Sequence, residues 1–134
     1  MKDRNLHLDI PFPAAGATLN TGTLDIGVDV AGFSDQWRVG RLSLTIPALP
    51  NNQSNVAPIT ISLFDSGDGG LTFAATQPNI IATIAGIAVT GSPAQIIDMP
   101  LPPGLRGPFQ LQVAVPAANG NNTAVLASGD WESQ

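Results

Sequence analysis

The sequence predicts an all-β protein, an antiparallel β-sandwich of about eight strands in one domain. Three observations predict it. No stretch repeats its apolar residues at the helical spacing. Short runs alternate apolar and polar residues with a period of two, as a half-buried strand requires. Twelve prolines and fourteen glycines are spread along the 134 residues and punctuate those runs, the pattern of a sandwich or barrel. A chain of this length buries roughly two-thirds of its unfolded surface, enough for a core without staples.

Taken in order, the elements begin with an ambiguous segment. Residues 1–13 fit either an N-terminal arm or a first strand, and residues 14–134 a single sandwich domain. Lys2, Asp3 and Arg4 cluster charge in a charge-poor chain, and Pro11 and Pro13 remove two backbone donors. An arm would add "NLHLDI" to another chain's sheet edge. A strand would turn Leu6, Leu8 and Ile10 inward. "TLDIGVDV" aligns Leu24, Ile26, Val28 and Val30; "RLSLTI" aligns Leu42, Leu44 and Ile46. "ITISLF" aligns Ile59, Ile61 and Leu63, and "FQLQVAV" aligns Phe109, Leu111, Val113 and Val115. Residues 80–90, 94–101 and 123–129 are weaker strands, the first interrupted at Gly86 by a bulge or turn. The runs between them, "PALPNNQSNVAP", "DSGDGG", "TGSP", "PLPPGLRGP" and "PAANGNN", are connections. Trp131 either closes the core or anchors a partner.

The residue inventory argues against an enzyme. Cysteine is absent, which excludes disulfides and thiolate sites and fits synthesis in a reducing cytoplasm. His7 is the only histidine and Glu132 the only glutamate, and tyrosine is lacking. No triad or zinc set can be assembled from these, so no catalytic residue, metal site or cofactor is expected. Asp25 and Asp29 would sit roughly 13 Å apart along an extended strand, beyond either glycosidase geometry. "DSGDGG" invites comparison with a calcium loop, but the twelfth residue from Asp65 is Thr76 rather than an acid. A phosphate loop would need a lysine where Leu71 follows Gly70. The run is expected to be a hairpin turn, with Gly69 or Gly70 at positive φ.

Net charge is −5, from ten acidic and five basic residues. Five cations are too few for a phosphate-tracking groove, so no nucleic-acid partner is expected. No apolar h-region follows "MKDRNLHLDI", and no run approaches the ~18 apolar residues of a membrane span. Low charge with 43% hydrophobic residues suits a surface held against another protein.

Four stretches carry a resemblance: "LDIPFPAAGATLNTGTLDIG", "RLSLTIPALPNNQ", "ITISLFDSGDGGLTFA" and "IDMPLPPGLRGPFQLQVAV". Their arrangement resembles the jelly-roll cement, or decoration, proteins of tailed-bacteriophage heads, over about residues 8–115. The resemblance implies a jelly-roll sandwich that binds the outer face of a shell of major capsid protein and clamps neighbouring capsomers. It implies a homo-oligomer, a dimer in preference to a trimer, located on the virion surface and made in the host cytoplasm. Leu6, His7, Leu8, Arg38, Arg41 and Trp131 are the residues expected to contact a partner. The alternative is a carbohydrate- or receptor-binding sandwich module, although Trp37 and Trp131 are the only aromatics suited to a sugar platform.

Overall fold

The computed structural model describes residues 2–24, 40–54, 57–66, 68, 70–100 and 108–133. Among them are eight strands: β1 Lys2–Pro11, β2 Thr18–Leu24, β3 Gly40–Ile46, β4 Ile59–Asp65, β5 Ala74–Ile84, β6 Gln95–Pro100, β7 Phe109–Ala114 and β8 Leu126–Ser133. They form two four-stranded sheets, β1-β8-β3-β6 and β2-β7-β4-β5, and every pairing is antiparallel. Consecutive strands alternate between the sheets except at the β4–β5 hairpin. That order is the eight-stranded jelly roll.

Alternation sets the faces. In β3, Leu42, Leu44 and Ile46 are buried; in β7, Phe109, Leu111 and Val113 are. Their register partners share the face: Leu63 lies opposite Leu111, Ile61 opposite Val113, and Gly129 opposite Leu44. The core between the sheets is closed by Leu8, Ile10, Phe12, Leu49, Ile59, Ile84, Val115 and Ala127. Burial of each large aliphatic contributes roughly 1.5–3 kcal/mol.

Several strands depart from the sequence reading for identifiable reasons. β2 escaped it because "TLNTGTL" has no apolar alternation. Two residues, Thr21 and Gly22, oppose Leu111 of β7, a bulge that shifts the phase. The buried Thr21 hydroxyl accepts from the Leu111 N–H (3.0 Å) and so replaces the lost ladder bond. The run at 80–90 ends as a strand at Ile84 and starts earlier, at Ala74. β8 starts at Leu126 rather than 123. The strand read at residues 23–30 lies, beyond Leu24, outside the described residues.

Residues 2–11 form an edge strand against β8 of the same chain, with Leu8 and Ile10 buried. Pro11 ends that strand, and Phe12 follows it into the core. Of the two readings of this segment, the strand is the one observed. No helix among the described residues is long and apolar enough to cross a membrane.

Candidate functional site

Three places gather polar groups. The first is the outer face of the β1-β8-β3-β6 sheet. Register puts His7, Asp130, Ser43 and Asp98 in one row across its four strands. His7 Nδ1 lies 2.8 Å from Asp130 Oδ1, and Nε2 lies 3.2 Å from Asp9 Oδ1. A neutral imidazole has one N–H and can donate to one carboxylate only; the imidazolium donates to both. The Asp130 contact is the largest cause, helped by Asp9, and together they raise the His7 pKa above its ordinary value. Among the described residues no three acidic or histidine side chains converge as a metal site.

The sign of this shift makes a prediction. A raised folded-state pKa adds stability fully present below about pH 6.5 and lost as pH rises through the folded value. The stability difference between the protein and its His7→Asn variant should therefore shrink from pH 5.5 to pH 9. An NMR titration of the imidazole in Asp130→Asn should show its pKa moving back toward the ordinary value. An unchanged titration in that variant would remove the pairing from the account.

The second place is the β4–β5 turn. Asp68 accepts from the Leu71 and Thr72 N–H groups (3.1 and 2.9 Å), and from the Thr72 and Ser66 hydroxyls (2.5 and 2.7 Å). The Gly70 N–H donates to Ser66 Oγ (2.8 Å), and Gly70 sits at φ +98°. The Thr72 hydroxyl, then the Ser66 hydroxyl and the two N–H groups, hold the Asp68 carboxyl well below the usual carboxylate range. The carboxylate is consumed in closing the turn. Thermal melts with calcium and with a chelator are expected to coincide. A calcium-induced rise of more than about 5 °C, roughly 1 kcal/mol, would show a metal site instead. Gly70→Val should destabilise by roughly 1 kcal/mol or more, because φ there is positive.

The third place is one end of the sandwich, where residues 12–17, 47–54, 57–58, 85–94 and 115–125 lie between the strands. Pairs at the strand ends, Pro11 with Leu126, Ile46 with Gln95 and Ile59 with Ile84, bring these connections together. Buried asparagines tie them. Asn52 donates to Ser92 Oγ (3.2 Å) and the Ile84 carbonyl (3.3 Å) and accepts from Asn119 Nδ2. Asn122 Oδ1 accepts from the Asn51 N–H (3.1 Å), and Asn121 Oδ1 from the Ala15 N–H (2.8 Å). The Gln53 amide donates to the Val89 carbonyl (3.0 Å). Asn52 and Asn119 are 0% exposed.

In the 85–94 connection, Val89 has φ +72° and is 85% exposed. A β-branched residue in that region is an outlier, held at a cost of roughly 1–3 kcal/mol. Sequence reasoning treated residues 47–58, 90–93 and 116–122 as plain connections, read 80–90 and 123–129 as weak strands and placed residues 12–13 in the N-terminal arm or first strand. The signal it passed over was the density of asparagine, "NN" at 51–52 and "NGNN" at 119–122, which reads as turn chemistry until Asn52, Asn119 and Asn122 are seen to be buried.

The residues expected to contact a partner do not form one site. His7 and Arg41 are exposed on the outer face of the β1-β8-β3-β6 sheet, in different rows, with Arg41 opposite Glu132. Leu8 is corrected: its neighbour on the strand points the other way, so it is 4% exposed and belongs to the core. Leu6 and Trp131 lie in β1 and β8, Trp131 opposite Leu42, with their side chains outside the description. Arg38 and Trp37 lie outside the described residues.

No family model and no curated protein matches the chain. Solved structures do. Aeromonas hydrophila PliG, a periplasmic lysozyme inhibitor of g-type lysozyme, is 17% identical over 96% of this chain and 84% of that one, at TM-score 0.45. A chain of Desmodium yellow mottle tymovirus is 12% identical over 96% of this chain and 85% of that one, also at 0.45. The arabinose-bound α-L-arabinofuranosidase MgGH51 is 16% identical over 95% of this chain but 19% of that one, again at 0.45. Likeness at this level carries no functional argument, and the jelly-roll assignment rests on the strand order itself.

Proposed function

We propose that this protein is a structural virion component that binds the outer surface of a bacteriophage head and stabilises contacts between capsomers of the major capsid protein. One observation carries the reading. The segments that resemble cement proteins fall on the framework of a complete jelly roll: β3 with its Asn-rich loop, β4 with its Asp68 turn, and β7. On this reading the protein is a static clamp without catalysis, acting as a homo-oligomer. Each contact is a modest patch of roughly 800 Å² per partner, and many copies held at once supply the strength.

Purified protein should co-sediment with shells assembled from the major capsid protein of the same genome, and raise the temperature at which they disassemble. Failure to pellet with those shells, together with a specific hit on a glycan array, would transfer the assignment to a carbohydrate-binding module.

A further inference from the structure

The four connections at the asparagine-tied end share a property that no single one reveals. Residues 12–17, 47–58, 85–94 and 115–125 contain no Asp, Glu, Lys, Arg or His; all the ionisable side chains of the chain lie elsewhere. Their one aromatic, Phe12, is 2% exposed. The end, as its described residues form it, is therefore an uncharged surface rich in alanine, proline, glycine and amides. Above it stand two apolar side chains, Ile87 at 46% and Val89 at 85% exposure.

We infer that this end is the docking face of the protein, and that Val89 and Ile87 insert into an uncharged, apolar depression on the partner protein. This rests on the proposed binding to a capsid shell and names the surface that performs it.

Charge selects the class of occupant. A polyanion, whether nucleic acid or acidic lipid, requires lysine or arginine at the contact, and these loops have neither. A hard cation requires carboxylates, also absent. A sugar ring stacks on an exposed aromatic face, which the described loops do not offer. The centre of a protein–protein interface, by contrast, is depleted of charge.

Rigidity supports the same conclusion. The backbone at Val89 is strained, and strain persists only where the surroundings over-determine it. Here the Gln53 amide holds the Val89 carbonyl, the Gly91 N–H donates to the Ile87 carbonyl (2.9 Å), and Leu49 and Ser92 exchange two backbone bonds (2.9 and 3.1 Å). The apolar pair is thus fixed in place before any partner arrives, which lowers the ordering cost of association.

The test uses the full-length protein and assembled shells, with affinity read by co-sedimentation. Val89→Lys and Ile87→Lys alter exposed side chains and should leave the melt near native while weakening binding at least about tenfold. Val89→Gly removes the side chain and relieves the positive φ. It should melt at or above the native temperature and still bind more weakly, a split that a merely structural role would not produce. Leu71→Lys makes the same chemical change at the opposite end, where Leu71 is also 85% exposed, and should shift affinity less than about twofold. Because the face is uncharged, affinity should also hold within about twofold between about 0.05 and 0.5 M salt.

Native affinity in both lysine variants, or loss confined to Leu71→Lys, would overturn the face while leaving the shell-binding reading intact. A steep loss of affinity with salt would overturn it as well. If the unaltered protein does not bind shells, both fall. If Val89→Lys abolishes self-association but not shell binding, the end is a contact between copies and the inference is wrong.

Discussion

Leu44→Ala and Leu111→Ala are each expected to destabilise the protein by roughly 2–5 kcal/mol, a large share of the roughly 5–15 kcal/mol that typically holds a domain folded. Both side chains are fully buried. Each lies on an interior strand, β3 between β8 and β6 and β7 between β2 and β4, so little backbone can move to refill the space. Leu111 faces Leu63 across its own sheet, and Leu44 lies over Gly129, whose missing side chain already gives that spot no spare atoms. Denaturant titration should show a lower midpoint with an unchanged slope. Leu71→Ala, at an exposed turn, should stay within about 0.5 kcal/mol. An unshifted midpoint in either core variant would mean that the inward phase of these strands is wrong.

Asn52→Ala is expected to cost at least about 2 kcal/mol, because each buried polar group left without a partner costs roughly 1–3 kcal/mol. The substitution strips the Asn119 amide of its acceptor and the Ile84 carbonyl and Ser92 hydroxyl of a donor. Gly86→Ala attacks the same junction from the other side. A Cβ there would lie 2.1 Å from the Ser54 carbonyl oxygen and 2.9 Å from that of Asn52. The loop must move, at a cost of roughly 1–3 kcal/mol. Since both changes disturb one network, the double variant should lose less than the sum of the two. Full additivity in thermal or denaturant melts would show that residues 47–54 and 85–94 are not one cooperative unit.

Much of the fold is legible in the sequence because the jelly roll has two half-buried sheets. Alternation of a single period therefore marks β3, β4 and β7 with the right face inward. Legibility fails where something interrupts the alternation. Thr21 and Gly22 break the phase of β2, and its exposed Leu19 offers no apolar stripe to read. Pro11 and Pro13 suggest a break between the first residues and the domain. Yet Pro11 sits at the very end of β1, where a missing donor costs nothing, and Leu8 and Ile10 are already in the core before it.

The candidate site was less legible, for a different reason. Asparagine, glycine and proline report turn conformation locally. They do not report that four turns distant in sequence will meet. Asn52, Asn119 and Asn122 become a buried lattice only once the strand order has placed their loops at one end. Likewise, the absence of charge from those loops is unremarkable in each and informative only in the set.

The position of β8 also has a consequence for synthesis. It is made after the other seven strands, yet it is an interior strand, bonded to β1 on one side and β3 on the other. The β2-β7-β4-β5 sheet has all its strands once residue 114 is made. The other sheet cannot close before residues 126–133 appear, so until then β1 has no partner strand and β3 has one open edge. Pairing β1 then closes a loop that spans nearly the whole chain, a slow step in non-local β topologies. Until β8 is made that half of the sandwich is unfinished, and exposure to wrong pairing falls on β1 and on the edge of β3 that β8 will cover.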